Sequence, residues 1–269
     1  MTLEILICTT EKRLAQVCDV LLPQREDLAY LVSCQYEDDA PCVPNALMSR
    51  TDVRVLMLKG RGLSINRNNT LLHAVNDVLL IADDDCRYLP QMVDEVLKVY
   101  QENPDVDIAL FKVDGMSKYY PTQVTDYTMK DFLGPYSIAS VEMTLRCSSV
   151  RSCGLQFNPN FGLGSKSLAS GEEQVFIKDA LDKGLKVRFY PCAIGTTKEG
   201  TTGDLFLNNP LVQRSKGATF CYLFGSVKAF VLCFKESLHY LIYKRVNPIK
   251  LLYQMNLGIR LCNSFVKAK

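Results

Sequence analysis

Val78-Leu-Leu-Ile-Ala82 is an unbroken apolar run that ends directly against three carboxylates, Asp83-Asp84-Asp85. A strand with no polar alternation is predicted to be buried on both faces, as in a parallel sheet covered by helices. The segments before it fit that arrangement. Leu3-Glu-Ile-Leu-Ile-Cys8, Leu28 to Ser33 and Val53 to Leu58 read as strands. Lys12 to Leu22, stopped by Pro23, and a stretch from Ser64 as N-cap to Val75 read as helices, and another runs from Pro90 to Glu102. Strands alternating with helices predict an α/β fold with a Rossmann-like, mainly parallel sheet flanked by helices.

Later strands are expected at Asp107 to Val113, Ser140 to Cys147 and Lys186 to Tyr190, with a helix over Glu172 to Lys183 ended by Gly184. After Gly203 the pattern is helical. The chain therefore divides into two halves of one domain, 1–105 and 106–203, and a basic helical C-terminal extension, 204–269. With 48% apolar and 22% charged residues, the 269-residue chain can bury a sizeable core, which excludes a disordered reading. Eleven cysteines in no regular spacing, and no C-x-x-C pair, read as reduced, small apolar side chains in a cytoplasmic protein. Met1 to Cys8 reads as a strand, not a signal peptide.

In a parallel α/β sheet, ligands bind beyond the carboxyl ends of the strands. That directs attention to three places. The first is the triplet Asp83, Asp84 and Asp85. Adjacent carboxylates repel one another, and a Mg²⁺ or Mn²⁺ ion completed by substrate phosphates would relieve that repulsion. An acidic run that caps the following helix is the alternative. The second is Gly60-Arg-Gly-Leu-Ser-Ile-Asn-Arg-Asn-Asn69, where glycines precede a helix start and Arg67 adds a fixed positive fork for an anion. Its glycines can equally serve turn geometry alone. The third is Phe161-Gly-Leu-Gly164 followed by Gly171-Glu-Glu173. A carboxylate there can act as a general base, or simply complement the helix dipole.

Together these residues resemble glycosyltransferase family 2, of GT-A fold, over Leu3 to about Gly203. The match rests on Gly62-Leu-Ser-x-x-Arg67-Asn68, Leu80-Ile-Ala-Asp-Asp-Asp85, Phe161-Gly-x-Gly164 and Gly171-Glu-Glu173, in that order. The resemblance implies an inverting, metal-dependent transfer of a sugar from a nucleotide-diphosphate sugar, commonly a UDP-sugar, to an acceptor hydroxyl. It implies a D-x-D element with Asp83 and Asp84 nearer the nucleotide and Asp83 and Asp85 as metal ligands. It makes Glu173, with Glu172 beside it, the catalytic carboxylates, Glu173 as general base, and places Thr9, Glu11 and Arg67 at the donor. It also makes 1–105 the nucleotide-sugar-binding half and 106–203 the acceptor-binding and catalytic half. The chain departs from the family at Cys8-Thr-Thr-Glu11, where a Pro-x-x-Asn-like turn is usual. A Glu stands where an Asp base is commoner. Ala193-Ile-Gly-Thr-Thr-Lys-Glu199 lacks the His that often completes the metal shell; the chain's two histidines are His73 and His239.

The net charge of +2 hides an imbalance. Residues 204–269 carry ten Lys/Arg against two acids, which points to an anionic partner. Apolar runs such as Phe220 to Phe224 and Ala229 to Phe234 among those lysines suggest basic amphipathic helices on the inner face of a membrane. That would suit a glycan or lipid-linked acceptor in bacterial surface-polysaccharide synthesis; a helical cap on the domain is the other reading. No feature calls for a nucleic-acid partner. A nucleotidyltransferase remains as an alternative, although Thr9-Thr-Glu-Lys-Arg13 lacks its glycines, as does a non-catalytic sugar- or partner-binding protein.

Overall fold

The computed structural model describes residues 1–197, 205–244 and 247–267. Lys198 and Glu199 of the His-lacking segment, and Asp204, Arg245 and Lys269 of the basic tail, lie outside the described residues. The chain forms two compact units. The first holds residues 1–61, 65–156 and 176–199; the second holds 62–64, 157–175 and 200–269.

The first unit is built on a nine-stranded sheet. Strands β1 (Leu3–Thr10), β2 (Leu28–Tyr36), β3 (Val53–Lys59) and β4 (Val78–Asp83) pair in parallel in the spatial order β3-β2-β1-β4. The sheet continues through β8 (Met143–Arg146), β6 (Ile108–Asp114) and β9 (Val187–Thr196) to the short β5 (Arg87–Tyr88), while β7 (Thr125–Asp126) also pairs with β9. Strand β8 runs antiparallel to both β4 and β6, and β6 is parallel to β9. The expected α/β fold with a mainly parallel sheet is therefore present. Leu79, Leu80 and Ile81 of β4 are fully buried, as the lack of alternation requires.

Helix α1 is a single turn, Asn45–Met48, and α2 spans Leu63–His73. Helix α3 (Met92–Glu102) starts with Asp94 and Glu95 in its first turn, which complement the helix dipole. It buries Met92, Val93, Val96, Leu97 and Tyr100 against the sheet core. Helix α4 is Cys147–Ser152, and α5 is Glu172–Asp182.

Two local expectations are corrected. Lys12 to Leu22 is not an α-helix: Leu14–Val20 is a 3₁₀ helix. Its buried residues Leu14, Val17 and Val20 recur every third position, the period of that helix type. Ser64 does not cap α2; it lies inside the helix, and its hydroxyl donates to the Phe161 carbonyl at 2.7 Å.

The second unit is helical. Helix α6 (Pro210–Phe224) begins with Asn209 as N-cap, whose side chain accepts from Leu211 N at 2.9 Å, and with Pro210 in its first turn. Helices α7 (Ser226–Lys244) and α8 (Pro248–Lys267) follow. Their core includes Val212, Ala218, Cys233, Leu251, Met255 and Cys262, with Phe161 and Leu168 from the loop before α5. Helices α6 and α8 touch backbone to backbone. A Cβ on Gly217 would stand 1.9 Å from the Met255 carbonyl oxygen, and one on Gly258 would stand 1.9 Å from that of Arg214. All eleven cysteines are free thiols, as their spacing suggested.

Candidate functional site

In the first unit, the carboxyl ends of β1 and β4 lie side by side, with Cys8 opposite Asp83. The loop after β1 therefore meets the acidic triplet by sheet register alone. The three carboxylates then go separate ways. Asp84 is buried; it accepts from the Thr9 hydroxyl at 2.5 Å and pairs with Arg13. Burial pushes its carboxyl above the usual range, with the Thr9 hydrogen bond and the Arg13 charge acting the other way. Asp85 meets the same Arg13 guanidinium at 3.0 Å. Asp83, the last residue of β4, lies 3.5 Å from Arg67.

Arg67 is only 2% exposed, on the helix that follows the glycine loop. A buried guanidinium must be hydrogen-bonded to be tolerated. Here Nη2 donates to Ser140 Oγ at 2.7 Å and faces Asp83. One residue earlier on the same helix, Asn66 Nδ2 donates to the main-chain carbonyls of Ser33 and Thr9 at 3.0 and 3.3 Å, tying α2 to the carboxyl ends of β2 and β1.

Glu11 does not join the triplet. It forms a two-pronged ion pair with Arg61, at 2.7 Å (Nη1–Oε2) and 2.5 Å (Nη2–Oε1), and Arg61 also donates to the Gln35 carbonyl at 3.1 Å. Arg61 holds the Glu11 carboxyl down at about 2. Sequence reasoning singled out Thr9, Glu11, Arg67 and the triplet, but missed Arg13, Arg61, Asn66 and Ser140. Arg61 and Asn66 lie inside the Gly60–Asn69 motif and Arg13 follows the loop after β1, so their position was a usable signal; Ser140 carried none.

The second unit holds the other acids. Leu63 N donates to the Leu163 carbonyl at 2.8 Å, and with the Ser64–Phe161 bond this stitches Phe161-Gly-Leu-Gly164 to the start of α2. Gly162 has φ +97°, and a Cβ there would sit 3.0 Å from the Glu172 carboxyl carbon and 3.2 Å from Ser64 Oγ. Glycine is needed for both reasons. Glu172 is buried against this loop, whereas Glu173 is part-exposed in the first turn of α5.

Among the described residues, no group of three or more His, Cys, Asp or Glu side chains is arranged to hold a metal ion. Mg²⁺ and Mn²⁺ are commonly held by only one or two carboxylates plus substrate phosphates and water. Asp83 and Asp85, 42% and 40% exposed, are carboxylates of the kind such an ion takes, each beside an arginine. Asp84, turned inward to Thr9 and Arg13, does not add to it.

Comparison with known proteins bears on this arrangement. Residues 40–148 match the family described as glycosyl transferase family 2. That span contains the Gly62–Asn68 motif and the acidic triplet and ends before Phe161. A comparison with curated protein sequences finds no match. Among solved structures, the crystal structure of S. aureus TarS residues 1–349 is similar, with 12% identity, 100% of this chain and 92% of that chain covered, and a TM-score of 0.58. Its complex with UDP-GlcNAc aligns at 13% identity, 100% and 93% coverage, and TM-score 0.55. Mannosyltransferase PcManGT from Pyrobaculum calidifontis, in complex with GDP-Man and Mn²⁺, aligns at 12% identity, 97% and 75% coverage, and TM-score 0.54. The resemblance to glycosyltransferase family 2 read from the motifs is thus borne out, and the fold is that of GT-A glycosyltransferases.

Proposed function

We propose that the protein is an inverting glycosyltransferase that moves a sugar from a nucleotide-diphosphate sugar, with UDP as the expected nucleotide, to an acceptor hydroxyl. The observation that carries this is the charge constellation at the carboxyl ends of β1 and β4. Two exposed carboxylates, Asp83 and Asp85, are set beside the fixed guanidinia of Arg67 and Arg13. The family match, which spans Arg67 and the acidic triplet, and the solved relatives with UDP-GlcNAc and GDP-Man support it.

Asp83 and Asp85 would hold Mg²⁺ or Mn²⁺, which supplies Lewis-acid charge neutralisation at a departing diphosphate when bound. Arg67, pinned by Ser140, keeps its positive charge in place without a reorganisation cost as charge develops on the diphosphate. Thr9 and Arg13 hold Asp84 inward and so fix the backbone on which Asp83 and Asp85 are displayed. The Glu11–Arg61 pair stiffens the loop after β1, where the nucleotide base is expected. Glu173 is the proposed general base, taking the acceptor hydroxyl proton during attack on the anomeric carbon. Its place in the motif order supports that role. Glu172, packed on Gly162, is the positioning residue beside it.

The test is thermal shift of the full chain with UDP, GDP, CDP and ADP, with and without Mn²⁺. Stabilisation by one diphosphate that requires Mn²⁺ is expected, since a ligand bound only by the native state raises its stability. No shift with any of the four would remove the transferase proposal. Glu173→Gln is expected to abolish transfer while leaving that shift intact.

We also propose that the C-terminal helices meet an anionic membrane surface and present a lipid-linked glycan acceptor, as in surface-polysaccharide synthesis. No helix among the described residues is long and apolar enough to cross a membrane. Helix α7, however, exposes Val227, Val231, Phe234, Leu238 and Ile242. Spacings of three and four residues put them on one stripe, and Lys228 and Lys235 run alongside.

A further inference from the structure

Between β6 and β8 the chain makes a long excursion, residues 115–142, which meets the donor residues at Ser140, the acceptor for Arg67. It is anchored by Glu142, a fully buried carboxylate. Glu142 accepts from the hydroxyls of Tyr120 and Tyr136 at 2.6 and 2.9 Å and from Ala139 N at 3.2 Å, and it pairs with Lys118. Satisfied this fully, the anchor makes the excursion a fixed frame.

Beside the anchor the frame encloses a cleft of about 230 Å³. Its lining includes Tyr119, Asp126, Tyr127, Asp131, Tyr136 and Phe189. The rings are braced edge to face: Tyr136 on Phe189 at 5.1 Å between centroids and Tyr127 on Tyr136 at 6.1 Å. Tyr119 is half exposed. Tyr127 is only 6% exposed, yet its hydroxyl has no hydrogen-bond partner among the described residues. The ring is buried, but the hydroxyl keeps accessible surface in the cleft and is open to a ligand. Burial first, then the charge of Asp131, push that phenol well above its ordinary range.

Two carboxylates complete the lining. Asp126 is bound by Arg188 Nε at 2.6 Å, and Asp131 Oδ2 accepts from the Thr128 amide and hydroxyl, each at 2.7 Å. Both keep further acceptor capacity. Acids in the lining disfavour a phosphate or nucleotide, and the Arg188 pairing removes most of the pull on a cation. What remains suited is a neutral molecule with a hydroxyl-rich edge and a face of C–H groups. The C–H face meets the negative faces of aromatic rings, and the hydroxyls donate to carboxylates.

Phe189 is the third residue of β9 and pairs with Thr125 of β7. By register Phe189 is level with Leu110 of β6 and Met143 of β8, and β8 in turn pairs with β4. Three strand spacings, roughly 14 Å, separate β9 from β4, so the cleft is offset across the sheet from Asp83 to Asp85.

We propose that this cleft is a pyranoside-binding subsite that holds an outer sugar of the acceptor glycan, away from the point of transfer. That the sugar belongs to the acceptor rests on the transferase proposal; that the cleft takes a neutral sugar ring does not. The test is saturation-transfer NMR on the full chain with methyl glycosides of glucose, galactose, mannose and N-acetylglucosamine. At least one is expected to receive saturation on its ring protons, undiminished by UDP or GDP with Mn²⁺. Binding is expected to fall about fivefold in Tyr119→Ala, for loss of the stacked ring, and about threefold in Tyr127→Phe, for loss of one hydroxyl. Tyr119 is exposed and Tyr127→Phe removes an unpaired group, so both variants are expected to fold. The proposal is overturned if no glycoside receives saturation, if the nucleotides displace it, or if both variants bind like the wild type. Glycoside binding without any nucleotide binding would retain the subsite and discard the donor site, so the two proposals fail separately.

Discussion

The carboxyl end of the sheet and the surface of helix α7 break opposite rules of protein architecture. At the sheet end, charge has been brought inside: Arg67 and Asp84 are buried, and each is held by partners supplied from other elements. On α7, apolar side chains have been left outside: Val227, Val231, Phe234 and Ile242 face solvent, while the small residues Ala229, Cys233 and Ser237 face the core. Buried charge costs stability unless it is paired, and an exposed apolar stripe gains nothing until something covers it. Local rules of this kind are usually broken where function requires it. The two regions differ in what they await. The sheet end is internally compensated and can exchange partners, whereas the stripe has no intramolecular partner among the described residues.

The largest expected effect probes the sheet end. Asp85→Asn should lower transfer by roughly 10²-fold or more, since it removes one of the two carboxylates that would hold the metal at the diphosphate, with little change in thermal midpoint. Asp84→Asn should show the reverse balance: a clear fall in midpoint and a smaller fall in rate, because Asp84 is tied to Thr9 and Arg13. Equal rate losses in both variants would erase the distinction between displayed and anchoring acids. Steady-state kinetics beside calorimetry decide it.

The helical unit can be broken without touching either surface. Gly217→Ala should cost about 2 kcal/mol in chemical denaturation, because the new methyl would stand 1.9 Å from the Met255 carbonyl oxygen and the helices must separate. Nucleotide affinity of the remaining folded protein is expected to be unchanged.

The stripe is tested by charge. Val231→Asp with Phe234→Asp should reduce sedimentation with vesicles of phosphatidylglycerol and phosphatidylcholine about tenfold or more, given the apolar surface withdrawn from the interface. Thermal stability should hardly change, since both side chains are exposed. Equal sedimentation would remove the membrane proposal and leave the stripe as surface.

Smallest is the Glu11–Arg61 pair, which is solvent-accessible. Glu11 titrates at about 2 in the folded chain, below its unfolded value of roughly 4.3. Its ionised form therefore stabilises the fold above the unfolded value, and that contribution is lost as pH falls through the folded one. Glu11→Gln should lower the melting temperature slightly at pH 7, and the gap to wild type should narrow as pH drops from 5 to 3.

Much of this was legible in the sequence. The four parallel strands up to Asp83 follow from apolar runs punctuated by turn residues, and the acids at the end of β4 follow from where that run stops. The remainder depended on pairings that no local pattern encodes. Arg13 meets Asp85 from 72 residues away, through the register of β1 against β4. Strand β8 enters the sheet antiparallel between β4 and β6, and nothing in Met143 to Arg146 specifies its neighbours. The expected helix over Lys12 to Leu22 failed because three-residue and 3.6-residue periods are nearly indistinguishable over seven positions. In α7 the apolar pattern was visible, but its direction was not. Large apolar residues were available for the core, yet the inward face took small ones. The cleft beneath Tyr119 was invisible for a simpler reason: its walls come from an excursion without periodicity and from Phe189, brought together only by β7 and β9.

The glycine crossing of α6 on α8 also bears on how this chain would look in a saturation mutagenesis screen. Gly217 and Gly258 would score as intolerant as the acidic triplet, because every replacement adds a side chain where a carbonyl already stands. A screen read without coordinates would place a second active region in the C-terminal helices. Repeating the selection at lower temperature would separate the classes: losses caused by crowding would partly recover, whereas losses of chemistry would persist.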